Sequence, residues 1–168
     1  MSSTAAVESE ISTLPWLALA LTPGLGATRV RQLVNFFGGV EAVFQASLTT
    51  LETAGLPAAA AQSIFTGNSR ALAEEELSKA AALGAKVITL DSPNYPRQLK
   101  QIYDPPPALY VRGDPTILNA PGIAVIGTRH PTPYGSGMAE RLACDLSARG
   151  LIIISGKFFR PCVALSYC

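Results

Sequence analysis

The chain predicts an α+β to α/β protein, in which a small helical front domain precedes an incomplete parallel β–α–β unit. Three observations carry that expectation. Residues 12–84 show brief helical periods punctuated by glycine. Residues 91–121 hold seven of the thirteen prolines. Two short, wholly apolar runs, Ile123 to Ile126 and Leu151 to Ile154, flank one amphipathic stretch. A length of 168 residues suits one ordinary domain or two small ones.

The elements follow in order. Leu14, Leu17, Ala18 and Leu21 recur at helical spacing and stop at Thr22-Pro23-Gly24. A second helix from Ala27 to Phe37 buries Val30, Leu33, Val34 and Phe37 and ends at Gly38-Gly39. Val40 to Ala46, Leu48 to Ala54 and Ala58 to Phe65 give three more short segments, separated by Ser47, Gly55-Leu56-Pro57 and Gly67-Asn68. Ser69 is the expected N-cap of a longer helix through Leu83, with Gly84 as its stop. Val87 to Leu90 is a strand ahead of the proline-dense stretch, and Ala108 to Val111 is a strand within it; the stretch is otherwise an extended connector. Pro133 to Arg149 is an amphipathic helix with Ala139, Leu142, Ala143 and Leu146 on one face. Strand, loop, helix and strand in that order predict a right-handed parallel crossover. The domain plan is therefore a flexible start over 1–12, a helical domain over 13–85, a connector over 86–121, a partial α/β domain over 122–156 and a tail over 157–168.

Composition narrows the function classes. Charged residues are 15% of the chain and hydrophobic ones 48%, which argues against a disordered or acidic tail. No apolar run reaches the roughly 18 residues of a membrane span, and no secretory signal opens the chain, so a soluble cytoplasmic protein is expected. The net charge of +1 is split unevenly, −2 over residues 1–90 and +3 over 91–168. Three cysteines (Cys144, Cys162, Cys168) and one histidine, His130, give neither a metal set nor a disulfide framework. No metal and no cofactor are expected.

The residues that can carry chemistry sit at the carboxyl ends of the two apolar strands. Backbone N–H groups and the following helix N-terminus favour anions there. Gly127 allows close backbone approach, Thr128 offers a hydroxyl and Arg129 a guanidinium fork; Ser155 and Gly156 end the neighbouring strand. The plainer alternative is an ordinary tight turn with Arg129 solvated, since the full Gly-x-Gly-x-x-Gly fingerprint is missing. A second candidate is the corner Leu21 to Gly26, where Gly24 and Gly26 turn amides outward and Arg29 adds charge. Ala54-Gly55-Leu56-Pro57 is a weaker copy, and both are equally readable as tight helix–helix corners. Tyr134 can stack on a base or simply pack at its helix start.

Together these residues carry a resemblance. The run Asp91-Ser-Pro-Asn-Tyr-Pro-Arg-Gln-Leu-Lys-Gln-Ile-Tyr-Asp-Pro-Pro-Pro-Ala-Leu-Tyr-Val-Arg-Gly113 resembles the connector of the DNA-processing protein DprA (Smf) family. Ile123-Ala-Val-Ile-Gly-Thr-Arg-His-Pro-Thr-Pro-Tyr-Gly135 is similar to the first strand and Gly-Ser/Thr-Arg loop of that family's Rossmann-like domain. Leu21 to Gly26 with Phe36-Phe37-Gly38 resembles its sterile-alpha-motif-like or helix-hairpin-helix front domain, so the likeness covers about residues 14–156. It implies a non-catalytic protein that binds single-stranded DNA, dimerises and loads the RecA recombinase in natural transformation and DNA recombination. By the same resemblance Gly127, Thr128 and Arg129 match the phosphate-gripping loop, and Ser155-Gly156 the start of the next.

After Gly156 the family pattern gives way to Lys157-Phe-Phe-Arg-Pro-Cys-Val-Ala-Leu-Ser-Tyr-Cys168. The expectation is a chain truncated after its first β–α–β unit, with its RecA and dimer surfaces missing and its function impaired. Two other readings stand beside it. One is a Rossmann nucleotide-binding enzyme of the lysine-decarboxylase-like phosphoribohydrolase type, whose Pro-Gly-Gly-x-Gly-Thr-x-x-Glu signature is absent. The other is a non-functional fragment folded only in its helical part.

Overall fold

A helix with apolar residues on every side has to be buried. The first helix of the chain, α1 (residues 13–21), is of that kind: Trp16, Leu17, Ala18 and Leu19 are all shielded from solvent. Trp16 and Leu19 enter one core cluster while Leu17 and Ala18 enter a second, so α1 is the post around which the other helices assemble. It ends where the Thr22 hydroxyl donates back to the Ala18 carbonyl at 2.7 Å. The computed structural model describes residues 13–156. The start over 1–12 and the tail over 157–168 lie outside the described residues.

The chain divides into two compact units, Met1–Leu118 and Asn119–Cys168. In the first, helices α2 (Ala27–Phe37), α3 (Val40–Gln45), α4 (Leu48–Thr53) and α5 (Ala58–Phe65) turn Val30, Leu33, Val40, Val43, Leu51, Ala60, Ala61 and Ile64 into the larger core. Ser47 caps α4 by accepting the Thr50 N–H at 3.2 Å. Helix α6 (Asn68–Ala82) lies against α1 through Ala73. Its N-cap is Gly67, not Ser69. Ser69 is wholly buried inside the first turn, with its hydroxyl on the Ser63 carbonyl at 3.4 Å.

Strands β1 (Ala85–Thr89) and β2 (Ala108–Arg112) pair antiparallel, Ala85 opposite Arg112 and Thr89 opposite Ala108. The segment read as an extended connector contributes directly to the helical core: Ile88, Leu90 and Tyr95 pack with the side chains of α2 to α5. Between the strands lies a single helical turn, α7 (Arg97–Lys100). The Tyr95 hydroxyl donates to the Pro106 carbonyl at 2.8 Å, and burial pushes its pKa up. Thr28 at the start of α2 donates to Asp104 at 2.7 Å, tying the same segment to the helices a second time.

In the second unit, β3 (Gly122–Ala124) and β4 (Ile152–Ile154) pair in parallel, with helix α8 (Pro133–Ala148) between them in sequence. Both strands are shorter than the apolar runs that predict them. Wholly apolar runs of this kind predict strands buried on both faces, and that expectation is corrected: Ile123 is 41% and Ile154 55% exposed. One helix can cover only one face of a two-stranded pair. Its seam is also narrower than the sequence reading, because Ala143 is buried whereas Leu142 is 52% exposed. The fold class is α+β, mainly helical with a few strands in small sheets.

Candidate functional site

The parallel pair brings the carboxyl ends of β3 and β4 side by side, and five of the predicted residues gather there. Val125 continues β3 by one residue: its N–H donates to the Ile154 carbonyl at 2.9 Å, and its carbonyl accepts the Ser155 hydroxyl at 3.0 Å. The chain then leaves the sheet through Ile126, Gly127, Thr128 and Arg129, all exposed. The Thr128 hydroxyl accepts the His130 N–H at 3.3 Å, closing a small turn. Arg129 has no ion-pair partner among the described residues. A side chain built onto Gly127 would meet nothing within 4 Å. No contact in the free protein demands glycine here.

Helix α8 starts at the far end of this loop. Thr132 is its N-cap and accepts the Gly135 N–H at 3.1 Å, while Pro133 occupies the first turn. Its sixteen residues aim a helix dipole's positive end toward the loop side of the unit. Gly122, at the other end of β3, is required by close approach: a Cβ there would sit 3.1 Å from the Ile152 carbonyl. Sequence reasoning passed over Val125 and Thr132. Thr-Pro ahead of an amphipathic run is the signal for the second; nothing local marks the first, because its role depends on the partner strand.

The secondary candidates divide between the units. Tyr134 is the second residue of α8, in its first turn, and is 77% exposed. Gly24, Gly26 and Arg29 belong to the first unit. Gly24 has φ +81, and Arg29 folds back to donate to the Gly24 carbonyl at 3.4 Å. The two glycine corners are neighbours in space, since a Cβ on Gly24 would lie 4.0 Å from Pro57. A cavity of about 200 Å³ opens between them, lined by Leu25, Arg29, Phe36, Gly55 and Leu56 among others. Gly24→Ala is expected to lose about 1 kcal/mol of stability, because the left-handed backbone there disfavours a side chain; urea unfolding followed by fluorescence measures it.

Fold and site together define an α+β protein with a parallel strand–loop–helix–strand unit whose strand ends carry a polar, glycine-containing edge. Residues 86–158 match the family described as DNA recombination-mediator protein A. The chain is similar to the DNA processing protein DprA of Bacillus subtilis (strain 168), 40% identical over 74 residues, which are 44% of this chain and 25% of that protein. It is also similar to Protein Smf of Synechocystis sp., 29% identical over 146 residues, 84% of this chain and 37% of that one. Protein Smf of Borreliella burgdorferi is 38% identical over 72 residues, 43% of this chain and 23% of that one. The chain is thus similar to members of the DprA/Smf family, with the family match confined to residues 86–158. It spans roughly a quarter to somewhat over a third of the length of these curated relatives. Among the described residues no helix is long and apolar enough to cross a membrane.

Proposed function

We propose that this chain is a DprA-like, non-enzymatic protein of the cytoplasm that binds single-stranded DNA in natural transformation and DNA recombination. In this reading the second unit is the opening part of a Rossmann-like domain, and the helices of the first are its sterile-alpha-motif or helix-hairpin-helix-like partner. RecA loading and self-association are the further properties that the family likeness suggests.

The observation that supports it is the convergence at one strand edge of the Gly127–Arg129 loop, the Ser155-Gly156 turn and the start of α8. Phosphate needs N–H donors and positive charge in reach of one another, and this edge offers both. It carries no acidic residue between Ile126 and Gly137, so nothing along the loop repels an anion.

The test is a fluorescence titration of the whole chain with a labelled oligothymidylate at a series of salt concentrations. The logarithm of the affinity should fall linearly with the logarithm of salt concentration, as counterion release requires. Binding that ignores salt, or none, overturns the proposal. Gly127→Ala should bind about threefold to tenfold more weakly, because its methyl holds a phosphate away from the backbone by enough to forfeit about one hydrogen bond. Its thermal unfolding should match that of the unsubstituted chain, because the added methyl enters open space.

A further inference from the structure

We propose that Ser155 is a positioning residue of this edge: its hydroxyl ends the parallel ladder and so releases the Gly156 amide toward the ligand. This rests on the reading of the edge as an anion site.

The reasoning starts from the geometry of parallel strands, whose bonds run evenly from each residue to two on its partner. The Val125 N–H donates to the Ile154 carbonyl at 2.9 Å. In a continuing ladder the next rung would run from the Gly156 N–H to the Val125 carbonyl. That rung is not formed among the described residues. The Ser155 hydroxyl stands in its place, donating to the Val125 carbonyl at 3.0 Å across 30 positions of sequence.

Two consequences follow from one substitution of donor. Val125 is held at both its backbone groups, so the Gly127–Arg129 loop leaves the sheet from a fixed point. The Gly156 N–H has no acceptor among the described residues, and Gly156 is exposed beside the loop. Hydrogen-bond arithmetic then separates the two hydroxyls of the edge. A hydroxyl has one proton to give. Ser155 has spent its proton on Val125 and presents only lone pairs outward, which an anion avoids. Thr128 accepts from His130 and keeps its proton for an outside acceptor. Thr128, Arg129 and the Gly156 amide hold the anion, and Ser155 acts through Val125.

The experiment compares the whole unsubstituted chain with Ser155→Ala, Ser155→Thr and Ser155→Val in two measurements. Amide hydrogen exchange is read on the free protein, and affinity for the labelled oligothymidylate on the same samples. Without DNA, the Val125 amide of Ser155→Ala should exchange about threefold to tenfold faster, the effect of one lost hydrogen bond, with Ala143 and Leu146 in α8 unchanged. Affinity should drop by a similar factor, and Ser155→Thr should restore both. Unchanged exchange with lost affinity makes Ser155 a direct ligand contact and overturns the positioning role. Should alanine loosen α8 as well, the equally shaped threonine and valine decide: faster exchange with valine alone supports the role, and equal behaviour overturns it. Faster exchange in a chain that binds no oligonucleotide, substituted or not, leaves the positioning role intact and removes the DNA reading instead.

Discussion

Arg129→Ala weakens oligothymidylate binding by about tenfold to a hundredfold at low salt, the usual effect of losing a charge-assisted hydrogen bond. The same variant should shallow the plot of log affinity against log salt by about 0.7, the contribution of one neutralised phosphate on a single strand. Both numbers follow from the position of Arg129. It is exposed at the loop, has no ion-pair partner among the described residues and supports no core side chain. Its removal therefore has no folding consequence to confuse the binding result, and thermal unfolding should be unchanged. Arg129→Lys separates charge from geometry. The lysine keeps the salt slope, since its charge is the same, but gives up the planar fork and recovers only part of the affinity. An unchanged affinity in the alanine variant would remove the loop from the binding edge.

Leu19→Ala should destabilise the first unit by about 2–5 kcal/mol, the range for emptying a fully buried leucine site. Leu19 has no exposed surface and lies in the larger core cluster beside Trp16. Trp16 is the single tryptophan of the chain, so its fluorescence reports the unfolding of that core in urea. Leu142→Ala is the informative partner. The amphipathic pattern of α8 places Leu142 on the buried face, whereas the folded helix leaves it 52% exposed. Truncation there should change stability by no more than about 0.5 kcal/mol, as for ordinary surface positions. A large effect at Leu142, or a small one at Leu19, would contradict the packing described here.

The legibility of this chain depended on how local each feature is. Helices α2 and α5 begin and end where the sequence puts them, because both are bounded by glycine or proline corners that act within a turn. Ser69 misled for a related reason. Its type favours an N-cap, but tertiary packing places it one step inside α6 where its hydroxyl reaches Ser63. The proline-dense segment was opaque. Nothing in its composition distinguishes a free connector from one whose Ile88, Leu90 and Tyr95 complete a helical core. At the candidate site, the Gly127-Thr128-Arg129 loop was readable as a strand-to-helix turn, and the Ser155-Gly156 end as its neighbour. The division of labour between the two hydroxyls was not, since it depends on a hydrogen bond between residues 30 apart.

By itself the sequence determined the order of elements, the glycine corners, the polar strand edge and the family likeness. These are set by backbone preference and side-chain type at adjacent positions, where periodicity and turn chemistry act. Only the tertiary structure decided that α1 is central, that the β1–β2 pair belongs to the helical unit and that Ser155 turns inward to Val125. Each of those depends on which distant surface arrives to satisfy a buried face or an open carbonyl, and burial and hydrogen-bond partnership are properties of pairs, not of single residues.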